Sequence, residues 1–427
     1  MQTALIIGYV WPEPNSSAAG RRILDLIDAF QADGVQVHFA SAASPTEHQC
    51  DLAALHVTSH SIALNCDSFE HWLLELAPDL VVFDRFVTEE QFGWRVATTV
   101  PNALRVLDTE DLHSLRAARE LALKRSLAGR AGADVAPVAA TGAELFALMR
   151  EDDMLLRELA AIFRCDLSLM ISSFEISLLV EFCQVPQELL YHLPFTVDTP
   201  SSGTPEFTAR QHFVSIGNFR HRPNWDAVLW LKQHVWPAIR RELPRAELHI
   251  YGAYPPPKAT ALHNKQQGFL VKGWADDALA TVAEYRVLLA PLRVGAGIKG
   301  KLLDAMLTAT PSVTTAIGAE SMHGDSDWPG AVANSSAALA AQAVRLYQSE
   351  ADWQSASDAC APLLAKYYQR NRLAPALMAQ LRERYRHLEQ WRRDNILGAL
   401  FNYHSVRSTE FMSRWIEVKT QLAKINR

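Results

Sequence analysis

The densest set of groups suited to holding an anion lies in PLRVGAGIKGKLLDAMLTATPSVTT, residues 291–315. An apolar run ends at Pro291, a loop with Gly295, Gly297 and Gly300 follows, and a helical pattern starts near Lys299. Glycines let backbone approach a ligand closely, and the amino end of a helix offers free N–H groups to negative charge. Lys299 and Lys301 add two cations at that point. A diphosphate needs this combination. Asp304, inside the helix, is placed to accept hydrogen bonds from ribose hydroxyls. The same residues also fit a glycine-rich turn with solvated lysines, because short glycine motifs recur by chance.

A second group lies in LDTEDLHSLRAARE, 107–120, where Asp108, Glu110, Asp111 and His113 sit at a strand end and helix start. A carboxylate or imidazole there orients an attacking hydroxyl and takes its proton. Capping of the helix by Asp108 or Asp111 is the plainer account, but it explains one residue of the four. Asp111 and His113 are two apart and need not face the same way. Two polar loops complete the set. YVWPEPNSSAAGRR (9–22) leads through small residues to Gly20, and SIGNFRHRPNWDAVLWL (215–231) presents Asn218, Arg220, His221 and Arg222 before Pro223, where a helix begins.

These loops need a scaffold, and the sequence supplies one. Apolar runs of strand length at 4–8, 35–40, 79–84, 102–108, 166–172 and 189–194 alternate with helical patterns. Continuous apolar strands joined by helices predict a parallel sheet covered on both faces. The rhythm restarts after PSSGTPEF (200–207), with strands predicted at 212–217, 246–252, 268–274, 287–292 and 311–315. The Pro, Ser and Gly of 200–207 mark an interdomain linker. Two doubly wound domains then face each other, with a cleft at the carboxyl ends of their strands. Residues 116–164 read as a helical insertion with a mobile middle. Residues 361–427 read as two or three helices.

The segment 291–315 resembles the donor-site signature of the glycosyltransferase group 1 family, in which a similar loop runs into "LEAMA-x-G-x-P-V-V"; the match is LLDAMLTATPSVTT. The resemblance implies an α/β fold of the GT-B type, two Rossmann-like domains with a facing cleft. It also implies a nucleotide-sugar donor, retention of anomeric configuration and no essential metal. Asp304 matches the second acid of the family's Glu-x7-Glu pair, while the first falls at Ala296. A branch with "GAG-x-K-x-K" is similar at this place. The donor contacts implied here are Gly297, Ile298, Lys299, Lys301 and Asp304. GFLVKGWADD (268–277) resembles the turn that lies against the donor base, which points to Gly273 and Trp274. The family offers an Arg and a Lys near 218 and 223, where this chain has Asn218 and Pro223; Arg220 and Arg222 are the substitutes, with a surface role equally open. The loop ending at Gly20 closes over donor and acceptor in the family. The stretch 107–120 is similar to "D-T-H-D-L-H-x-L-R", with Glu110 in place of a His, so Asp111, His113 and Glu110 are the catalytic candidates. CDLSLMISSFEISLL (165–179) resembles "A-D-x-V-I-x-x-S-x-x-E", with Ser172 and Glu175 in place: Ser172 or Ser173 caps the helix after the strand, and Glu175 interacts with its first turn.

The domains expected are an acceptor domain at 1–199, a donor domain at 208–360, and carboxyl-terminal helices at 361–427 that partly pack back on the first domain. The 427 residues, 49% hydrophobic, suit two or three domains. A net charge of −6 gives no reason to expect nucleic acid. Five scattered cysteines without a Cys-x-x-Cys pair support neither a disulfide framework nor a zinc site, and a reducing, cytoplasmic setting fits them. The first residues read as a buried strand instead of a signal peptide. The segment 361–427 carries thirteen Lys and Arg against five acids. With Trp391 and Trp415, this basic tail suits peripheral contact with the inner face of a membrane and hence a lipid-linked or glycan acceptor; a solvated helical face is the default. Two rival functions stand beside sugar transfer. One is a sugar-nucleotide epimerase, which needs extra acid/base groups and no second substrate. The other is a catalytically silent scaffold binding a nucleotide sugar, which the alanine at 296 favours.

Overall fold

A computed structural model describes residues 1–130, 132–198 and 206–425. The expected linker lies outside the described residues except for Glu206 and Phe207. Seven parallel strands form the first sheet: β1 (Thr3–Gly8), β2 (Gln36–Ser41), β3 (Thr58–Ser61), β4 (Leu80–Asp84), β5 (Leu104–Asp108), β6 (Leu167–Met170) and β7 (Leu190–His192). Their order is β3-β2-β1-β4-β5-β6-β7. Six more form the second sheet: β8 (Gln211–Ile216), β9 (Leu248–Tyr251), β10 (Phe269–Gly273), β11 (Tyr285–Ala290), β12 (Ser312–Thr314) and β13 (Gly330–Val332), ordered β10-β9-β8-β11-β12-β13. In each sheet the order reverses beside the first strand, at β1/β4 and β8/β11, and there the strand ends open into a crevice.

The inner strands are buried on both faces, as their unbroken apolar runs require: Ala4, Leu5, Ile6 and Ile7 of β1 have no exposed surface. The strands β3 and β13 are additions to the expected set. β3 is TSHS, an edge strand with mostly exposed side chains, and β13 has three residues, so neither carries an apolar pattern. Three tryptophans, Trp230, Trp236 and Trp353, fill the second domain's core. Between β5 and β6 the chain forms helices at His113–Leu127, Gly142–Met149 and Met154–Arg164.

The carboxyl-terminal segment has four helices, more than the two or three expected: Cys360–Tyr367, Arg370–Arg386, Leu388–Asp394 and Ile396–Ile425. The break at Gln369 arises where the chain crosses between domains. Val197 N–H donates to Tyr368 O at 2.8 Å and Arg370 N–H donates to Val197 O at 2.9 Å. Before this crossing Leu363 and Leu364 pack in the second domain; after it Leu377, Met378 and Leu381 pack in the first. Much of the segment's positive charge is used internally. Arg370 meets Asp25 and Asp28, Arg392 meets Asp166, and Arg382 meets Asp33.

Candidate functional site

The loop after β11 places the first set of groups. Gly297 has a φ of +61°, and a Cβ added there would lie 2.8 Å from Ile171 Cδ1 and 3.0 Å from Asp111 Cβ. The loop therefore presses directly on the first domain, and a left-handed glycine is needed for that approach. Its backbone is held from the other side of the cleft. Gly297 N–H donates to Glu175 Oε1 at 2.7 Å, and Arg119 donates to Gly295 O at 2.7 Å. Ile298 is buried in the second domain's cluster.

The loop ends at the helix Gly300–Leu307, whose amino end faces another. A Cβ on Gly300 would sit 2.7 Å from the Cβ of Ala18, the first residue of the helix Ala18–Ala32. Ser17 caps that helix by accepting from Gly20 N–H at 3.1 Å, and Gly20 lies against the Glu13 backbone. Two positive helix ends thus converge. Beside them Lys299 Nζ donates to Gly297 O at 2.5 Å, and Lys301 Nζ donates to Asn224 Oδ1 at 2.7 Å. Both acceptors are neutral oxygens. Burial pushes both ammonium groups down to about 8. The carboxylates that pull the other way are Glu320, Glu175 and Asp111 for Lys299 and Asp304 for Lys301; Glu320, Asp111 and Asp304 are themselves bonded to Arg119, Arg116 and Arg21.

The other donor-side candidates are spread around this point. Asp304 is buried and pairs with Arg21 from the first domain. Asn218 accepts from Asn224 through its carbonyl at 2.9 Å and so supports the residue that holds Lys301. Arg220 lies with its guanidinium 3.5 Å from the Tyr254 ring centre. The side chain of Arg222 is 82% exposed and pairs with Glu120 at 2.9 Å, away from the lysines' oxygen partners. Gly273 has a φ of +84° with open space beside it, and Trp274 stacks on His48 of the first domain at 4.1 Å between ring centres and 6° between planes.

On the acceptor side, four candidates divide into two pairs. Asp108 is buried in an ion pair with Arg22 at 2.7 Å. Glu110 lies beside it, with a φ of +59°, and burial together with the Asp108 charge raises its carboxyl well above the usual range. Asp111 and His113 form the other pair, with His113 Nε2 3.6 Å from Asp111 Oδ1. Burial opposes the Asp111 charge, but Arg116 at 2.8 Å and the nearby histidines hold its pKa below the ordinary value. Burial drives His113 down to about 4, with Arg116 and Arg85 adding repulsion, so it is neutral at physiological pH. His221 of the second domain is exposed and accepts from Arg116 at 3.2 Å; desolvation by the surrounding protein lowers it too. Neither Asp108 nor Asp111 caps the helix His113–Leu127. Its first N–H groups go to Glu158, at 2.6 Å from His113 and 3.2 Å from Ser114.

Several groups at the cleft have no counterpart in the sequence reading. Arg116 and Arg119, three apart on one helix face, reach across to His221 and to Glu320, the latter at 2.6 Å. Their spacing in LRAARE is the signal that points to them. Ser172 caps the helix Ser173–Glu181 as expected, at 3.3 Å from Glu175 N–H. Glu175 does not serve that helix's first turn; fully buried, it accepts from Gly297 and from Leu112 N–H, the latter at 3.3 Å. Burial and the Asp111 charge push it up to about 8. Ala296 is buried in the first domain's apolar cluster, which an acid at that position would disrupt. Among the described residues no group of three or more His, Cys, Asp or Glu is arranged to hold a metal ion.

Residues 210–349 match the family described as glycosyl transferases group 1. No curated protein matches the sequence. Solved structures resemble the whole fold. HepE of Anabaena, in complex with UDP and glucose, superposes with a TM-score of 0.63 at 10% identity, over 89% of this chain and 99% of that one. Sucrose-phosphate synthase of Thermosynechococcus elongatus gives 0.65 at 16% identity, over 91% and 100%. A glycosyltransferase of Rickettsia africae gives 0.63 at 10% identity, over 90% and 98%. At these identities the likeness shows the fold, which is the GT-B arrangement of two Rossmann-like domains.

Proposed function

From the match of residues 210–349 to the group 1 glycosyltransferases, we propose that this chain moves a hexosyl group from a nucleoside-diphosphate sugar to an acceptor hydroxyl, with retention of configuration. The observation that carries the reading is the buried Lys299 and the half-buried Lys301, whose bonded oxygens are neutral, at the meeting of two helix amino ends. A diphosphate supplies the missing negative charge. In the reaction the acceptor oxygen bonds to the anomeric carbon, the bond from that carbon to the diphosphate breaks, and the acceptor proton passes to the leaving phosphate oxygen. The lysines and helix ends stabilise that leaving group, so no metal is required. Asp111 and His113 orient the acceptor from the first domain. The acceptor is a glycan, a lipid-linked glycan or a protein, met on the cytoplasmic side during polysaccharide synthesis. The alanine at 296 favours a silent scaffold as the second reading, because the acid that would contact the donor sugar is missing.

Calorimetric titration with UDP, GDP and ADP and their sugars tests the reading. UDP comes first because HepE was solved with it. One nucleotide is expected to bind, and Lys299→Ala to weaken it about 10- to 100-fold, the loss of one charge-assisted hydrogen bond. No binding across the panel would sink the proposal. Binding without transfer to any added acceptor, in the presence or absence of chelator, selects the scaffold.

A further inference from the structure

The last helix, Ile396–Ile425, has 30 residues and two unlike faces. One face docks on the first domain. Asn402 bonds Arg105, Ser413 accepts from Arg95 at 3.0 Å, and Glu417 accepts from Asp67 N–H at 2.9 Å. A Cβ on Gly398 would meet Phe163 O at 2.3 Å. At about 100° per residue the opposite face holds Leu397, Leu400, Phe411, Trp415, Val418 and Leu422, all within an arc of about 60°. Their side chains are 46–66% exposed. Among the described residues, nine of the sixteen exposed large hydrophobic residues lie on this one helix, so they are not scattered over the surface. The six span roughly 38 Å in two groups, Leu397 with Leu400 and then Phe411 to Leu422.

We propose that this outward face of the last helix lies flat on an anionic lipid surface. No described helix is long and apolar enough to cross a membrane, which leaves an interfacial position for a helix with one apolar side. The charges of the helix are arranged for that occupant. Lys419 is exposed with its ammonium 5.0 Å from the Trp415 ring centre, on the apolar side. The acids are turned inward: Glu417 is used by Asp67, and Glu410 is taken by Arg414 at 3.0 Å. Cations beside an apolar stripe that carries Trp and Phe suit anionic headgroups. A second copy packed in parallel would instead set Lys419 against Lys419. The remainder of the chain is acidic, since the tail holds eight more cations than acids while the whole carries −6. Contact through this helix keeps that acidic body off the lipid. The contact requires nothing of the sugar-transfer reading, but it would bring a lipid-borne acceptor to the acceptor domain.

The test uses the full chain and a triple variant, Phe411→Ser, Trp415→Ser and Leu422→Ser. Deletion of the helix is unsuitable because its inner face holds Arg95 and Asp67. Both proteins are sedimented with vesicles of phosphatidylcholine containing phosphatidylglycerol. The wild type is expected to pellet, and the triple variant to lose partition roughly a hundredfold, while its melting temperature and nucleotide affinity stay as in wild type. A wild type that remains in the supernatant overturns the proposal, and so does a variant that pellets equally well. A wild-type dimer in ultracentrifugation that the variant converts to monomer, with neither binding vesicles, assigns the stripe to self-association and also overturns it. Nucleotide affinity, measured on the same samples, reports separately on the donor site.

Discussion

Raising the pH from 7 to 9 should weaken nucleoside-diphosphate binding far more than ordinary lysines would allow. In the free protein Lys299 and Lys301 both titrate near 8 because burial disfavours their charge. The diphosphate needs them charged. At pH 9 each is about one-tenth protonated, so recharging each costs about a factor of ten, or about 1.4 kcal/mol. Two such groups give a loss of about a hundredfold, against almost none for lysines titrating near 10.5. The phosphates contribute little, since with a second pKa of about 6 they are about nine-tenths ionised already at pH 7, and ADP, whose base does not lose a proton in this range, serves as the control for base ionisation. Calorimetry in two buffers of different ionisation enthalpy reads both the affinity and the protons, and uptake should approach two protons per ligand at pH 9. Lys299→Met should halve the slope. The stability effect has the opposite sign. A lowered lysine pKa means that the unfolded chain holds the proton longer, so the free protein gains stability as pH rises from about 8 toward 10.5. An affinity that changes less than twofold between pH 7 and 9 would refute the assignment of these lysines to the diphosphate.

Two further outcomes follow from the same geometry. Gly297→Ala introduces a Cβ 2.8 Å from Ile171 in a left-handed backbone, so the loop must shift; donor affinity is expected to fall at least tenfold in the same titration, with a loss of about 1–2 kcal/mol in urea unfolding. Asp108→Asn strands the buried Arg22 charge and is expected to cost about 3–5 kcal/mol, whereas Glu110→Gln, a near-isostere that removes a charge which burial and Asp108 already disfavour, should change urea unfolding by less than about 1 kcal/mol.

The two sheets were legible because their inner strands are buried on both faces and so carry unbroken apolar runs. Ala4–Ile7 and Leu80–Asp84 announce themselves in this way. β3 was hidden because an edge strand of exposed Thr, Ser and His needs no such run. The close approach of the loop 295–300 to the first domain was legible from its glycine spacing, since backbone approach is a local requirement. Arg21, Arg119 and Glu320 were not, because each acquires its role from a partner in the other domain. Glu175 shows the limit most clearly. Its spacing from Ser172 suggests a local first-turn contact, and the fold sends it across the cleft to Gly297 instead.

That transfer bears on how a donor enters. The contacts that span the cleft fall into two grades of burial. Glu175 to Gly297 and Arg119 to Gly295 are buried, and the former brings a backbone N–H to a carboxyl with no exposed surface. Breaking them exposes desolvated groups without replacement, so they are costly to open. Arg21 to Asp304, His48 on Trp274 and Tyr254 to Glu13 involve partly exposed groups. Water reaches the exposed members of these contacts, so they are cheaper to open than the inner pair. Two of these outer contacts use residues that a donor would claim: Asp304 for ribose and Trp274 for the base. A ribose diol at Asp304 competes with Arg21 for the same oxygens, and a base beside Gly273 competes with His48. The costs therefore favour an order in which the outer contacts yield to the donor while the inner ones persist. On the proposed reading, the loop 295–297 would stay fixed against Asp111 while a nucleotide displaced the outer contacts.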